Sequence, residues 1–296
     1  EVRTVNSQGQ VVTVQDAANG IQTFSYDATG NLVSTTDPDG LSMQSVYDVR
    51  GRKTQMTDPD MGTWHYYYDA LGELVRQVDA KNQTTQLQYD LLGRMTRRAE
   101  PDLISNWYYD QLSGASCKRG LLCKATSDNG YQRIHNYDNL SRPSSTIETI
   151  DEDYTTSITY DAYGRPSKLT YPGGFAVNNG YTLLGYLRTV TDSDSGTVYW
   201  QANSMDAEGH VLSQTLGNNA VEERGYYANT GRIRSISASA SGLITTQIEQ
   251  LIYDYDLLGN VTNRDNEKAG VSESFGYGAL NRLTSSTVNS SGAGVV

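Results

Sequence analysis

Histidine and aspartate are the residue types of this 296-residue chain that could carry chemistry. The three histidines, His65, His135 and His210, stand in unlike contexts: His65 falls inside a predicted strand, and His210 directly follows the turn glycine Gly209. The sequence has no nucleophile elbow, no histidine pair of the metal-binding type and no phosphate-cradling glycine loop. Paired aspartates could serve glycoside hydrolysis, but turns explain their placement. We therefore predict that the chain is not an enzyme and has no catalytic residue, metal ligand or cofactor.

Two further groups of polar residues could form a functional site. The segment 192–196 weakly resembles a calcium loop, but it lacks the glutamate that completes an EF-hand loop, so we interpret it as a plain loop. Arg52, Arg94, Arg165 and Arg232 each follow the glycine of a predicted turn. We favour pairing of these arginines with the turn aspartates, and a ladder of arginines that faces a lumen is the alternative.

The composition excludes several classes of function. A formal net charge of −11 and a pI of about 4.7 oppose binding to nucleic acid, which needs a basic surface, and to anionic membranes. No apolar stretch reaches the ~18 residues of a membrane span, so we predict no membrane insertion. Tyrosine is abundant, with 22 Tyr against 3 Phe and 3 Trp, which indicates half-buried rings whose hydroxyls reach water or a partner.

Cys117 and Cys123 are the only cysteines. Two cysteines are too few for a disulfide-rich scaffold or for a structural zinc site built from cysteines. The pair could close a small loop in an oxidising compartment, or it could remain as two unpaired thiols, and the sequence leaves both alternatives open.

One motif, Tyr-Asp-x-x-Gly-(Arg/Asn), recurs along the chain and predicts where its turns and strands lie. Its first four tyrosines are 21 residues apart. About a dozen copies, some of them degenerate, span residues 1–296, which we interpret as a single array. We expect the motif residues to be structural. The well-matched copies contribute Tyr26, Asp27, Gly30, Tyr47, Asp48, Gly51, Arg52, Tyr68, Asp69, Gly72, Tyr89, Asp90, Gly93, Arg94, Tyr160, Asp161, Gly164, Arg165, Tyr255, Asp256 and Gly259.

Each motif predicts a tight turn. Aspartate at the first position bonds backbone N–H groups ahead of it, and glycine at the fourth accepts a positive φ. Residues 48–51 should therefore form a hairpin turn with a bulge at the glycine. A second turn follows half a period later, as in 37–40 and 58–62. In the degenerate copies, Thr182, Ala228 and Gly278 stand where aspartate is expected, and Ser141 and Asn281 where glycine is expected.

The segments between the turns alternate as β-strands do. In residues 84–89, for example, Thr85, Leu87 and Tyr89 share one face. No segment sustains a period of 3.6 residues, so we expect almost no helix. Two strands and two turns per repeat predict an all-β fold of tandem β-hairpins in a long antiparallel sheet. Such a sheet must curl or spiral, because roughly 24 strands cannot stay flat and open. A β-propeller with two repeats per blade is the alternative.

The repeated pattern, as in residues 89–94, resembles the YD repeats of the Rhs family. That family includes bacterial wall-associated proteins and the C components of Tc toxins, and animal teneurins carry similar repeats. The resemblance covers essentially the whole chain. It implies a β-sheet strip that spirals into a hollow shell around a variable C-terminal toxin, with the motif tyrosines stacked along the strip. The family's self-cleaving aspartates and toxin domain have no visible counterpart in this sequence.

The resemblance implies a non-catalytic scaffold, a wall segment of a shell that encapsulates a toxin and helps to deliver it. Its partners would be other segments of the same shell and the enclosed toxin domain. Because both ends lie within the repeat pattern, we expect 1–296 to be a fragment of a larger bacterial protein that is secreted or held at the cell surface. The alternative is an adhesion or carbohydrate-binding module in which Trp64, Trp107 and Trp200 stack on glycans.

Overall fold

The computed structural model describes residues 1–110, 116–240 and 246–290. Within these ranges the chain forms 26 β-strands and no helix, which confirms the predicted all-β class. It follows that the described residues contain no helix long and apolar enough to cross a membrane. The strands are β1 (Val2–Val5), β2 (Val11–Gln15), β3 (Ile21–Tyr26), β4 (Leu32–Thr36), β5 (Ser42–Tyr47), β6 (Lys53–Asp58), β7 (Gly62–Tyr68), β8 (Leu74–Val78), β9 (Thr84–Tyr89), β10 (Met95–Ala99), β11 (Ile104–Tyr109), β12 (Leu122–Ser127), β13 (Gln132–Tyr137), β14 (Pro143–Thr149), β15 (Asp153–Tyr160), β16 (Pro166–Thr170), β17 (Ala176–Tyr181), β18 (Leu187–Asp192), β19 (Val198–Met205), β20 (Val211–Leu216), β21 (Val221–Tyr226), β22 (Ile233–Ala240), β23 (Thr246–Tyr255), β24 (Val261–Asn266), β25 (Val271–Tyr277) and β26 (Leu283–Ser290).

The strands pair in the order in which they follow one another along the chain. In the first of two compact units, Glu1–Ser157, β1 to β14 and the first part of β15 form an antiparallel meander. In the second unit, Ile158–Val296, β16 to β26 do the same. This uninterrupted pairing is incompatible with separate four-stranded blades, so the propeller alternative is wrong. The single array over 1–296 stays a prediction.

The turns of each unit lie at two opposite edges of its sheet, because successive strands alternate in direction. The Tyr-Asp motif turns follow the odd-numbered strands and form what we call the motif-turn edge. The other turns follow the even-numbered strands and form the second-turn edge. There, for example, Asp37 N donates to the Leu41 carbonyl at 2.9 Å and Gly40 N donates to the Asp37 carbonyl at 3.0 Å.

The core of this fold is thin. Most strand residues of the described chain are half-buried. The buried apolar residues among them are Cys123, Ala176, Val177, Ala202 and Ala220. In β9, Thr85, Leu87 and Tyr89 are more buried than Gln86 and Gln88, as the alternation predicts. Side chains therefore cover one face of such a strand without forming a deep interior.

Candidate functional site

The turn aspartate of each motif organises its own hairpin. Asp48 N donates to the Arg52 carbonyl and Gly51 N donates to the Asp48 carbonyl, both at 2.9 Å, which closes the predicted turn. The Asp48 Oδ1 atom accepts the backbone N–H groups of Arg50 at 2.9 Å and Arg52 at 3.0 Å. These bonds favour the ionised carboxylate, and the N–H of Arg52 is the main reason that the pKa of Asp48 is lowered. Gly51 adopts a φ of +74°, which strains any L-residue.

The other well-matched motifs form the same turn. In each of them the aspartate Oδ1 atom accepts the backbone N–H four residues later. These aspartates are Asp27, Asp69, Asp90, Asp161 and Asp256. Their glycines, Gly30, Gly72, Gly93, Gly164 and Gly259, have φ values between 74° and 98°. Ser141 and Asn281 replace the glycine in degenerate copies and still have φ values of 63° and 57°. The turn geometry therefore survives without glycine, at an energetic cost.

An arginine after the turn glycine clamps the aspartate of its own turn. Arg52 Nε donates to the Asp48 Oδ2 atom at 2.7 Å, and Arg94 Nε donates to Asp90 Oδ2 at 2.8 Å. Arg165 holds the aspartate of its own turn in the same way, at 2.7 Å. These contacts are the aspartate pairing that the sequence favours. One carboxylate thus satisfies both the backbone of the turn and the first side chain beyond it.

The motif tyrosine ties each repeat to the one before it. The Tyr68 hydroxyl donates to the Lys53 carbonyl at 2.8 Å, and Lys53 directly follows Arg52. Nine other tyrosines make the equivalent bond, at 2.7 to 3.2 Å: Tyr26, Tyr47, Tyr89, Tyr109, Tyr137, Tyr181, Tyr226, Tyr255 and Tyr277. Tyr160 occupies the corresponding position at the end of β15. The bond needs a hydroxyl on a large ring, which explains why the chain uses tyrosine and hardly any phenylalanine.

The arginine of one repeat also packs on the tyrosine of the next. The Arg52 guanidinium carbon lies 5.0 Å from the centre of the Tyr68 ring, and that of Arg94 lies 4.4 Å from the centre of the Tyr109 ring. A cation, and not another tyrosine, therefore lies on these rings, which differs from the tyrosine stack that the family resemblance implies. We call this combination the inter-repeat lock: the turn aspartate, the residue after the turn glycine, and the tyrosine of the following repeat.

His210 takes the place of the arginine in one lock. Its Nδ1 atom lies 2.8 Å from Asp206 Oδ2, and its ring stacks on Tyr226 with the ring centres 4.6 Å apart. The side chains of Asp206, Glu208 and His210 could also bring three metal ligand atoms within 4.8 Å of one another. However, Asp206 Oδ1 already accepts the backbone N–H groups of Glu208 and His210, at 3.0 and 2.8 Å. The turn and the lock therefore account for this cluster without a metal ion.

The other candidates from the sequence lie in ordinary structural positions. His65 and His135 are half-buried in β7 and β13, and burial lowers the pKa of His135, which favours its neutral ring. Asp192 uses both carboxylate oxygens within its own hairpin, because Oδ1 accepts Ser195 N at 2.7 Å and Oδ2 accepts the Tyr199 hydroxyl at 2.9 Å. The N–H of Ser195 is the main cause that lowers the pKa of Asp192 to about 2. These contacts support a plain loop at 192–196.

In one degenerate repeat, a different tyrosine from the one that the sequence predicts takes the tyrosine position of the motif. The sequence puts Tyr227 in the tyrosine position and Ala228 in the aspartate position, but it is Tyr226 that bonds the Val211 carbonyl, at 3.2 Å. Tyr227 therefore stands in place of the aspartate, and its N–H donates to the Arg232 carbonyl at 2.9 Å. The expectation was wrong because this turn is one residue longer, which gives Tyr227 the usual spacing to the glycine.

Arg232 lies in that longer turn and keeps part of the lock. Its guanidinium carbon lies 5.6 Å from the centre of the Tyr255 ring, and its Nη2 atom donates to the Leu258 carbonyl at 3.3 Å. Its own turn offers no carboxylate, because Tyr227 replaces the aspartate. The packing of Arg232 on Tyr255 and the bond from the Tyr255 hydroxyl to the Ile233 carbonyl therefore survive the substitution.

Cys117 and Cys123 form a disulfide, with Cα atoms 5.4 Å apart, which decides between the two alternatives that the sequence leaves open. Cys117 precedes β12 and Cys123 is its second residue; just before β12, the Leu121 carbonyl accepts the N–H of Asp110 at 3.0 Å. Asp110 also accepts a hydrogen bond from Arg94 of the preceding repeat at 2.8 Å. That bond is the main cause that lowers the pKa of Asp110 to about 2. The disulfide thus ties Cys117 to the start of β12, and Arg94 ties Asp110 to the preceding repeat.

The three tryptophans considered for glycan stacking are all half-buried. Trp200 Nε1 donates to Gln214 Oε1 at 2.8 Å, and Trp64 Nε1 donates to the Met61 carbonyl at 3.3 Å. The polar edges of Trp64 and Trp200 are thus engaged by a neighbouring turn and strand, which weighs against their use as open platforms for sugars.

Comparison with known protein families identifies the repeat. The family model of the RHS repeat matches residues 5–42 and 68–102. No curated protein sequence matches the chain significantly.

The fold is similar to that of solved Tc toxin structures. The chain superposes over 96% of its length on the crystal structure of TcdB2-TccC3, with a TM-score of 0.77 and 20% identity. The same complex without its hypervariable C-terminal region gives 0.77 and 21% over 96%, and the Photorhabdus luminescens Tc holotoxin pore gives 0.75 and 19% over 96%. The chain spans 17% of the first of these chains and 16% of the other two. At this identity the likeness concerns the fold.

Proposed function

We propose that this chain, a member of the RHS-repeat family, is a non-catalytic wall segment of a hollow shell that encloses a C-terminal toxin and helps to deliver it. The repeats at 5–42 and 68–102 and the similarity to the TcdB2-TccC3 fold support this proposal. Its partners are then the other segments of the shell and the enclosed toxin domain.

The inter-repeat lock is the observation that carries the proposal. Each lock joins two successive hairpins through a hydroxyl bond, and in several repeats also through a cation packed on a ring, as with Arg52 and Tyr68. Because the same contacts recur along the chain, they stiffen the sheet without a deep hydrophobic core. A stiff, thin sheet with half-buried faces suits a wall better than it suits a pocket for a small substrate.

The candidate catalytic residues support a structural role. Asp48, Asp90 and the equivalent aspartates are bound within their own turns, and His210 replaces an arginine in a lock. We therefore propose that the chain itself performs no reaction. The alternative function, glycan binding at tryptophans, is less well supported, because the indoles are half-buried and two of them donate to neighbouring groups.

The proposed location is outside the bacterial cytoplasm. Disulfides persist in oxidising compartments, and Cys117 and Cys123 are bonded. We propose that residues 1–296 form a single array within a larger exported protein, in keeping with the 17% of the TcdB2-TccC3 chain that they span.

Limited proteolysis of the full-length protein that carries this chain tests the proposal. The C-terminal segment should resist protease in the intact protein and become sensitive when two whole repeats, residues 48–89, are deleted. This deletion keeps the hairpins in phase because it removes two 21-residue periods. Digestion of the C-terminal segment at the same rate in the intact protein as in isolation would exclude enclosure.

A further inference from the structure

The motif-turn edge of the first unit carries a row of exposed apolar side chains. Two residues separate the aspartate and the glycine position of each motif turn, and in four turns Val49, Leu71, Leu91, Leu92 and Leu140 occupy these places. Their relative exposures lie between 72% and 105%. Turn positions favour Gly, Asn, Asp and Ser, so the turn itself does not require apolar residues there. We call these five side chains the apolar ridge.

The topology aligns the members of the ridge. They follow β5, β7, β9 and β13, which are all odd-numbered strands, so they lie at the same edge of the unit. Successive motif turns are two strands apart, which is about 10 Å at the usual strand spacing. The first three turns of the ridge are therefore about 10 Å apart, and the fourth, after β13, lies about 20 Å beyond the third.

The two edges of this unit differ in charge. The motif turns at 27–31, 48–52, 69–73, 90–94 and 138–142 hold six carboxylates and four arginines, and three of these arginines are paired with the aspartate of their own turn. The second-turn edge holds one cation, Lys81, and twelve carboxylates. These are Asp16, Asp37, Asp39, Asp58, Asp60, Asp79, Glu100, Asp102, Asp128, Asp151, Glu152 and Asp153. One edge is therefore strongly acidic, and the edge with the ridge is nearly balanced.

We propose that the apolar ridge is an interface for a second copy of this chain, which docks with its own ridge. Two copies have the same spacing of turns along the ridge, so the ridges of a two-fold dimer can interdigitate. A dimer that joined two second-turn edges would bring two acidic surfaces together, and charge repulsion opposes that arrangement.

The ridge would form the apolar centre of such an interface. A standard interface buries ~800 Å² per partner, so the polar residues of the same turns would form its rim. An apolar row with this exposure is also a feature that monomeric proteins avoid. The inference goes beyond the proposed function, because association of two copies does not require an enclosed toxin.

Sedimentation equilibrium of the 296-residue chain over a range of concentrations tests this interface. The chain should form a dimer, and the double substitution Leu91→Asp with Leu92→Asp should raise its dissociation constant at least tenfold. The matched control is Met61→Asp with Ile150→Asp, which introduces two carboxylates at exposed apolar positions of the second-turn edge. That control should leave the dissociation constant unchanged, and circular dichroism should be the same for all three proteins.

High salt provides a second readout, because it screens charges and leaves apolar contacts intact. The dimer should persist or become tighter when the salt concentration is raised. A chain that stays monomeric, a dimer that the Leu91 and Leu92 substitutions do not weaken, or equal weakening by the control would each overturn the proposal. None of these outcomes bears on protease protection of the C-terminal segment, so the two proposals fail independently.

Discussion

The hydroxyl of a motif tyrosine is the smallest unit of the lock. Tyr68 extends its ring along the sheet, beneath the guanidinium of Arg52, and its hydroxyl reaches the Lys53 carbonyl. Burial raises the pKa of Tyr68, so the hydroxyl stays protonated and able to donate at neutral pH. Phenylalanine could preserve the ring contact but would leave this half-buried carbonyl without its donor.

Replacement of Tyr68 by phenylalanine should therefore destabilise the chain. We expect the free energy of unfolding in urea to fall by about 1 kcal/mol, the usual net value of one such hydrogen bond. Tyr67→Phe is the matched control, because Tyr67 is the exposed neighbour on the opposite face and packs its ring beneath Arg76. That control should change the free energy by less than about 0.5 kcal/mol. Equal effects of the two substitutions would exclude a specific role for the Tyr68 hydroxyl.

At the scale of the hairpin, the turns could be predicted from sequence and the contacts between hairpins could not. The Asp48–Gly51 turn depends on four adjacent residues, so local preferences determine it. The acceptor of most motif tyrosines lies 14 to 16 residues earlier, and that of Tyr255 lies 22 residues earlier, so it is identified only when strand register is known. The assignment of Tyr227 failed for the same reason. The turn after β21 has one extra residue, so Tyr227 keeps the usual spacing to the turn glycine although Tyr226 makes the bond of the lock.

At the scale of the hairpin, the sequence does not decide whether Cys117 and Cys123 are bonded, and their disulfide leads to a testable prediction. Its loop is short, so opening it should destabilise the fold by only about 2 kcal/mol by the loop-entropy estimate. The local effect should be clearer, because Tyr137 N donates to the Ser116 carbonyl at 2.9 Å, next to Cys117. Reduction or Cys117→Ser should therefore accelerate hydrogen exchange at the Tyr137 amide.

The amide of Asp48 provides the internal control for that experiment. It donates to the Arg52 carbonyl in a motif turn that has no disulfide, and its exchange rate should stay the same when the bond is opened. Unchanged exchange at Tyr137 would show that the disulfide does not hold this loop against the next hairpin.

At the scale of the whole chain, the aspartates of the motif turns make the stability of the fold depend on pH in the same direction. The pKa values of the motif-turn aspartates Asp27, Asp48, Asp69, Asp90, Asp138, Asp161, Asp206 and Asp256 are lowered in the folded state. Hydrogen bonds from Asn31 and Thr29 are the main causes that bring the pKa of Asp27 to about 2, and the side chain of Arg94 is the main cause for Asp90. A carboxyl whose folded pKa lies below its unfolded value stabilises the fold above the unfolded pKa, and this stabilisation disappears as the pH falls through the folded pKa. Glu73 acts in the opposite direction, because burial and the charge of Asp69 raise its pKa.

We therefore expect the free energy of unfolding to be flat at neutral pH and to fall between about pH 4 and pH 2, where the turn aspartates take up protons. The substitution Asp48→Asn tests the cause. An asparagine oxygen can still accept the N–H groups of Arg50 and Arg52, but it does not titrate and loses the ion pair with Arg52. The variant should be less stable than the parent at pH 7 and should lose less stability on acidification, as measured by urea unfolding at several pH values. Parallel pH profiles for the two proteins would mean that the acid response arises elsewhere than in the motif turns.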